Sequence, residues 1–266
     1  DDSNDNAVEE VATSFSEHLD LKYFRNTKPL GMAGNWNKCI ENASYDWIKM
    51  MHDDDFFVQH DALEIFAKNV TNNKYDFVFS AAKKVGESDI EISRLDTQKL
   101  KFLEDDINCL VFQNYIGHPS VTFFKKDLKI KFDKDFKWVI DIDFYIKYLS
   151  NKPNWHYIDE VLVGITKDDN QVSAGCFNNP NVEIPEYLLM LDKLNLKESQ
   201  YVFFCIWELV RKFKIKESIS FKEYYPQFIT NALIDRIVAI QRWIPNLMLK
   251  QTPINKKLMT FFYNNL

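Results

Sequence analysis

The sequence predicts a layered α/β domain followed by a mainly helical region. Short apolar runs alternate with segments of helical periodicity up to about residue 179, as strands and helices do in a layered α/β fold. Beyond Asn179 the pattern becomes helical and is interrupted by prolines. Apolar residues make up 46% of the 266 positions, enough to fill a sizeable core. We therefore divide the chain into residues 1–179 and 180–266.

The first part of the chain predicts two helices, two strands and the start of a third helix. The helices run from Ala7 to His18 and from Ala33 to Ala43, and the strands from Leu21 to Arg25 and from Trp47 to Met51. A further helix is expected after Asp61.

Asp61 is the expected N-cap of that helix, with Glu64 completing a pair that resembles a capping box.

The apolar strand from Trp47 leads directly into the acidic triplet Asp53-Asp54-Asp55. In open α/β sheets, ligands bind beyond the carboxyl ends of the strands. Adjacent carboxylates repel one another unless a cation is present, and oxygen ligands suit Mg²⁺ or Mn²⁺. The alternative is a solvated acidic turn, since short acidic runs are common.

Later segments predict three further strands, a helix and a last strand. In chain order these elements are strands at Tyr75 to Ala82, Asp89 to Ser93 and Val121 to Phe124, a helix at Asp141 to Leu149, and a strand at Trp155 to Ile165.

Two polar motifs in this second part could carry chemistry. Asp141 and Asp143 lie one residue apart near a helix start, where one carboxylate could act as a general base. The alternative is stabilisation of the helix dipole by acids in its first turn. His118, in a Gly-His-Pro-Ser loop, is a candidate for lining a substrate site, although a lone histidine is more often structural.

Composition excludes several classes of protein. The net charge of -6 argues against a nucleic-acid partner. No apolar run approaches the roughly 20 residues of a membrane-spanning helix, and the first residues do not resemble a signal peptide. The cysteines are scattered without a CxxC pair, which argues against a zinc site or a disulfide framework and favours the cytoplasm.

The charge is divided unevenly along the chain. Residues 209–266 hold 10 Lys/Arg and 3 Asp/Glu, a net charge of +7, so the remainder carries -13. Basic residues interleaved with aromatic ones suit peripheral contact with an anionic membrane surface. We therefore expect contact with the inner face of the plasma membrane through this region; an ordinary solvated basic face is the alternative.

The order of these motifs resembles that of the large inverting glycosyltransferase family with the GT-A fold, family 2. The resemblance covers about residues 1–173. In chain order, the motifs that carry it are Asp1-Asp2-Ser3-Asn4, the Asn-rich segment Asn35 to Ala43, the triplet Asp53-Asp54-Asp55, Gly117-His118-Pro119-Ser120, Asp141-Ile142-Asp143 and Asn170-Gln171-Val172-Ser173. The fold expected is thus a Rossmann-like GT-A domain.

For the donor, the resemblance implies a nucleotide-diphosphate sugar, and a UDP-sugar is the first expectation. Asp1 or Asp2 would contact the nucleobase or ribose. Asn35, Asn37 and Asp53 complete the expected donor-binding set.

For the chemistry, the resemblance implies Asp54 as the leading ligand of Mg²⁺ or Mn²⁺, with Asp55 in support. Asp141 matches the carboxylate that acts as catalytic base. His118 and Asp143 are assigned to the acceptor side, although Asp143 also looks like the helix-stabilising neighbour of the base.

Three departures from the family pattern stand out. His52 occupies a position where many members have the first acid of an Asp-x-Asp motif. Ile140 replaces the glutamate that often precedes the base. The family's first strand should precede Asp1, so we expect roughly 30 residues of the fold to lie outside this sequence, judging from the size of a βαβ unit.

The expected function is therefore metal-dependent transfer of a hexosyl or N-acetylhexosaminyl group, with inversion, to a glycan or lipid-linked acceptor in cell-surface polysaccharide synthesis. One alternative is a sugar nucleotidyltransferase, although no Gly-rich phosphate loop is visible. Another is a non-catalytic carbohydrate-binding module of the same fold.

Overall fold

The computed structural model describes residues 1–71, 74–87, 89–167, 172–196, 199–229 and 231–265. Asn170 and Gln171, part of the motif series above, lie outside these ranges. No helix in the described ranges is both long enough and apolar enough to cross a membrane.

A mixed six-stranded sheet forms the centre of the α/β part, with the strand order β1-β5-β3-β6-β2 and β4 paired to β3. The strands are β1 (Trp47–Lys49), β2 (Phe56–Phe57), β3 (Phe77–Val85), β4 (Ile90–Ser93), β5 (Thr122–Lys125) and β6 (Trp155–Thr166). β3 and β6 are parallel, and the other pairs are antiparallel. Since β5 is antiparallel to both β1 and β3, the strands β1, β3 and β6 all end at the same edge.

Helices surround the sheet and form the C-terminal region. In the α/β part they are α1 (Ala7–Phe15), α2 (Gly31–Asn42), α3 (Ala62–Val70), α4 (Thr97–Asp105), α5 (Ile140–Asn151) and α6 (Val172–Cys176). Short 3₁₀ helices cover Ile107–Val111, Pro119–Val121 and Ser218–Ser220. The C-terminal helices are α7 (Pro180–Lys193), α8 (Gln200–Phe213), α9 (Phe221–Tyr224), α10 (Ala232–Trp243), α11 (Asn246–Lys250) and α12 (Thr252–Asn264).

The predicted α/β order is confirmed, but one predicted strand is wrong. The segment Leu21 to Arg25 joins no sheet, and the side chains of Leu21 and Phe24 are 39% and 49% exposed. A short apolar run forms a strand only where a partner strand and a buried face are available. The elements β2, α4 and α6 and the 3₁₀ helices of the α/β part were not predicted.

The start of α3 also differs in detail from the expectation. Asp61 is the N-cap residue, but its side chain makes no capping hydrogen bond. Glu64 instead pairs with Lys68, one helical turn ahead, at 2.7 Å.

Helix α5 is the most deeply buried helix of the α/β part. Eight of its twelve residues are buried, so it is apolar around most of its circumference and packs inside the protein. The ring of Phe144 lies 5.3 Å from that of Phe124 on β5, and Tyr145 meets Phe77 on β3 edge-on at 5.8 Å. These contacts fix the helix against the sheet.

The C-terminal helices share one hydrophobic core with the α/β part. The ring of Phe112 packs edge-on against Phe204 of α8 at 5.3 Å. The change at residue 179 is therefore a change of element type within a continuous core, and the division into two domains stays a prediction.

Candidate active site

The acidic turn follows β1 at the shared sheet edge and is tied to the end of β6. The backbone N–H of Thr166 donates to Asp55 Oδ1 at 3.2 Å, and the Thr166 hydroxyl donates to the carbonyl oxygen of Asp54. Two loops that lie far apart in the sequence thus hold each other in place.

His52, Asp54 and Asp55 form a cluster whose donor atoms all lie within 4.8 Å of one another. His52 Nδ1 is 3.8 Å from Asp55 Oδ2, and the Asp55 side chain is only 1% exposed. Both His52 Nε2 and Asp55 Oδ2 are buried without a hydrogen-bond partner among the described residues. Such unsatisfied polar atoms are unfavourable unless a ligand completes them. One imidazole nitrogen and two carboxylates fit a divalent cation.

The orientation of His52 is set by its neighbours. Its ring stacks on that of Trp36 at 4.9 Å, and its backbone N–H donates to Ser120 Oγ at 3.0 Å. Burial lowers the pKa of His52, against the opposing effect of the three neighbouring aspartates. The imidazole is therefore held in the neutral form that a metal requires of a histidine ligand. Trp36 was not anticipated as part of this site.

Lys49 is a second residue of the site that the sequence did not reveal. Its Nζ donates to the carbonyl oxygens of Met50, at 2.6 Å, and of Ser120. Burial lowers the pKa of Lys49 to about 7, and Asp55 opposes this shift. The only sequence signal was a lysine within an otherwise apolar strand.

Asp141 lies in the first turn of α5 and accepts two hydrogen bonds. Its Oδ1 accepts the N–H of Ile142 at 2.8 Å, and its Oδ2 accepts from Asn114 Nδ2 at 2.7 Å. Burial nevertheless raises the pKa of Asp141 to about 7. A carboxyl group that titrates near neutral pH is suited to general base catalysis.

Asn114 connects this carboxylate to the predicted substrate loop. Its Oδ1 accepts the N–H of Gly117 at 2.8 Å, and its Nδ2 also contacts the Gly117 carbonyl at 3.2 Å. Gly117 has φ of +99°, a conformation that favours glycine. The Tyr145 hydroxyl donates to the same carbonyl at 3.0 Å. Asn114 was missed because its function depends on a contact with a residue 27 positions away.

His118 and Asp143, which the sequence assigned together to the acceptor side, have different environments in the structure. His118 is partly buried, and burial together with Lys84 lowers its pKa to about 4, so its ring is neutral. Asp143 is completely buried and pairs with Lys147 at 2.7 Å. Because no acceptor can reach a fully buried carboxylate, the structure favours the helix-stabilising role for Asp143.

The expected donor residues Asp1, Asp2 and Asn35 meet around a residue that was not predicted, Asn26. Asn26 Nδ2 donates to Asp2 Oδ1 at 2.6 Å and to Asn35 Oδ1 at 2.9 Å. The hydroxyl of Tyr23 donates to Asp1 Oδ2. The segment predicted as a strand therefore positions the acids.

Asn37 has a different environment from Asn35. It is buried, and its amide exchanges two hydrogen bonds with the backbone of Phe132, at 2.8 and 2.9 Å. These bonds fix α2 to the loop before α5 and give Asn37 a structural role, while its donor contact stays a prediction.

Glu186 of α7 holds the turn that leads into α5. Its carboxylate accepts the backbone N–H groups of Lys137, Trp138 and Val139 at 2.8 to 3.2 Å. Successive N–H groups of this kind form a concave anion site, which a carboxylate can fill. The C-terminal region thereby fixes the backbone on which Asp141 is carried.

The sequence of this chain is similar to those of known glycosyltransferases. Residues 1–131 match the model of glycosyl transferase family 2. An uncharacterized glycosyltransferase of Methanocaldococcus jannaschii is 25% identical over 178 residues, which are 65% of this chain and 61% of that protein. Residues 1–131 of this chain belong to glycosyltransferase family 2.

A second curated protein and a solved structure are also similar to this chain. An uncharacterized Mycobacterium tuberculosis protein is 27% identical over 165 residues, covering 56% of this chain and 50% of that one. The crystal structure of S. aureus TarS 1-349 in complex with UDP-GlcNAc matches with a TM-score of 0.56 and 15% identity, over 79% of this chain and 60% of that chain. The predicted GT-A fold is confirmed.

The chain spans 61% and 50% of the lengths of its two curated relatives. The family model ends at residue 131, before Asp141. The roles of Asp141 and the C-terminal helices in this chain therefore rest on their own geometry.

The raised pKa of Asp141 predicts how Asp141→Asn changes the dependence of stability on pH. The carboxyl ionises near 3.8 in the unfolded chain and near 7 in the folded one, so folding takes up a proton between these values. The unfolding free energy of the wild-type chain should therefore fall as pH rises from 4 to 7. Urea denaturation should show the Asn variant gaining stability relative to the wild type over this range. A pH-independent difference would contradict the buried-carboxyl assignment.

Proposed function

We propose that this family 2 glycosyltransferase moves a sugar from a nucleotide-diphosphate sugar to an acceptor hydroxyl, with inversion, and that a divalent cation assists. The observation that carries the proposal is the pairing of two sites through one short segment. Ser120 contacts the cluster at His52, and Asn114, at the other end of the segment, contacts Asp141.

On the donor side, we propose that Asp54, Asp55 and His52 hold Mg²⁺ or Mn²⁺. Bound there, the cation would stabilise the negative charge that develops on the leaving diphosphate. The acidic turn is fastened by Thr166, so these side chains are oriented before the donor arrives.

We further propose that Asp1, Asp2, Asn35 and Asp53 contact the nucleoside. Because TarS was crystallised with UDP-GlcNAc, the first donor to test is a UDP-N-acetylhexosamine.

On the acceptor side, ionised Asp141 would take the proton of the attacking hydroxyl. The hydroxyl oxygen then forms the new bond to the anomeric carbon while the bond to the diphosphate oxygen breaks. Asn114 holds the carboxylate through Oδ2, and Glu186 holds the turn before its helix. One displacement from the opposite face inverts the anomeric configuration.

The cation proposal predicts a loss of metal binding in Asp54→Ala. Removing one carboxylate of the cluster should weaken Mn²⁺ binding to the UDP-saturated protein by at least about tenfold. A tenfold loss corresponds to ~1.4 kcal/mol of binding free energy. Calorimetry and the Mn²⁺ EPR signal would measure it without any turnover. Asp61→Ala, an exposed carboxylate outside the cluster, is the matched control. Equal affinities in Asp54→Ala and the wild type would remove Asp54 as a ligand.

His52→Asp refines the same experiment. Replacing the imidazole nitrogen by a carboxylate oxygen should shift the preference of the site from Mn²⁺ toward Mg²⁺, because Mg²⁺ favours oxygen ligands. An unchanged ratio of the two affinities would show that His52 does not ligate.

The base proposal predicts a pH profile for transfer. The rate should rise with pH through about 7, as Asp141 loses its proton. Asp141→Asn should retain UDP-sugar binding and lose transfer by at least about a hundredfold, within the typical range for general base catalysis. Asn114→Ala should move the rising limb to higher pH, because the Asn114 hydrogen bond lowers the pKa of Asp141. Gln113→Ala, an exposed neighbour, is the control.

Two results would count against this assignment. Transfer by Asp141→Asn at the wild-type rate would exclude it as base. A product with retained anomeric configuration, read by NMR, would exclude the single displacement.

We also propose peripheral contact between the C-terminal helices and an anionic membrane that carries a lipid-linked acceptor, in cell-surface polysaccharide synthesis. From Arg236 onward the sequence holds five Lys/Arg and no Asp or Glu. Trp243, Leu247 and Phe261 are 88%, 71% and 59% exposed in this basic region. Exposed apolar side chains beside cations suit a lipid interface.

The membrane proposal predicts co-sedimentation with liposomes. Binding should require anionic lipid, weaken as salt increases, and fall several-fold in Trp243→Ser. Tyr45 is a 76% exposed aromatic residue that lies far from Trp243 in the sequence, so Tyr45→Ser should bind liposomes like the wild type. Equal binding to neutral and anionic vesicles would contradict the proposal.

A further inference from the structure

A cavity lies beside the proposed base, between strands β3, β4 and β6 and the segment that contains Gly117. Its polar lining comes from Lys84, Ser93, Arg94, Asn114, His118 and Tyr157. The apolar part of the lining includes Phe79, Ala82 and Ile165. The function proposed above does not use the cationic side of this cavity.

The lining is cationic in a chain whose net charge is negative. Among the described residues, two cations and no Asp or Glu line the cavity. Lys84 is partly buried, and within the described residues its side-chain ammonium has neither an ion pair nor a hydrogen bond. An ammonium group without a carboxylate partner is available to form a charge-assisted hydrogen bond with an anionic ligand.

The neighbouring carboxylates already have cationic partners, and for one of them that partner is Arg94 of the cavity lining. Glu91 lies opposite Lys84 in the strand register, but it contacts Lys167 at 3.5 Å. Asp159 pairs with Arg94 at 3.1 Å through one guanidinium nitrogen, Nη1. The Lys84 ammonium therefore remains without a carboxylate within 4.0 Å in the described part of the chain.

A single side chain, that of Asn114, connects the cavity to Asp141. Asn114 lines it and donates to Asp141 Oδ2 at 2.7 Å. The neutral imidazole of His118 lines the same cavity, on the segment that joins the two proposed sites. A group bound here would therefore belong to a molecule whose hydroxyl can approach the base.

We propose that this cavity binds an anionic group of the acceptor, a phosphate or a carboxylate, through Lys84 and Arg94. The acceptor class is then an anionic glycan. The inference rests on the proposed function for the role of Asp141. The same chemistry could instead serve the donor diphosphate, and the experiment separates the two sources.

Inorganic phosphate is the probe for the test, at constant ionic strength and without divalent cation. In the intact chain, the amide resonances of Gly117 and His118 should shift saturably as phosphate is added. Lys84→Met, which keeps an apolar stem of similar length, should weaken the apparent affinity at least about tenfold. Lys83→Met is the matched control, because successive side chains of β3 point to opposite faces and Lys83 does not line the cavity.

Binding of UDP with Mg²⁺, measured by calorimetry, assigns the source. The acceptor assignment expects the UDP affinity of Lys84→Met to stay within about twofold of the wild type, and the phosphate shift to persist in UDP-saturated protein. Loss of UDP affinity in Lys84→Met, or displacement of phosphate by UDP, would assign the cavity to the donor and overturn the proposal. The absence of a saturable shift, or an equal loss in Lys83→Met, would overturn it as well.

Failure of the proposed function gives a different result. A chain that binds phosphate at Lys84 but binds no UDP-sugar would contradict the glycosyltransferase mechanism and leave the anion cavity in place. A chain that binds UDP-sugar but not phosphate would contradict only the present inference.

Discussion

The arrangement of the site depends on one segment, residues 114–120, that is hydrogen-bonded at both ends. Asn114 holds Asp141 at its start, and Ser120 meets the backbone of His52 at its end. Gly117 makes the turn between them in a conformation that few other residues adopt. The distance between the proposed cation site and the proposed base is therefore set by the geometry of seven residues.

The site is built from groups that lower stability. Asp141 is a carboxyl whose pKa burial raises to about 7, and two polar atoms of the His52–Asp55 cluster have no hydrogen-bond partner in the described part of the chain. The buried aromatic packing of α5 against the sheet offsets these unfavourable contributions to stability. Active sites commonly combine strained or desolvated groups with a rigid scaffold in this way.

The C-terminal helices contribute to the same site from outside the family-matched region. Glu186 binds three successive N–H groups at the start of the turn before α5, and α8 packs on the shared core. A family-level description that ends at residue 131 includes neither the proposed base nor this support. The exposed basic residues of the last helices are not among the residues that support the turn before α5.

The sequence by itself determined the α/β order, the position of the acidic turn after a buried strand, and the candidate base, because periodicity and local polarity are local properties. Leu21 to Arg25 was predicted wrongly, since a strand needs a partner that local pattern does not reveal. Only the tertiary structure decided that Asn37 binds Phe132 and that Lys49 and Asn114 belong to the site. Each of these roles depends on a contact with a residue distant in the sequence, and such contacts exist only once the chain has folded.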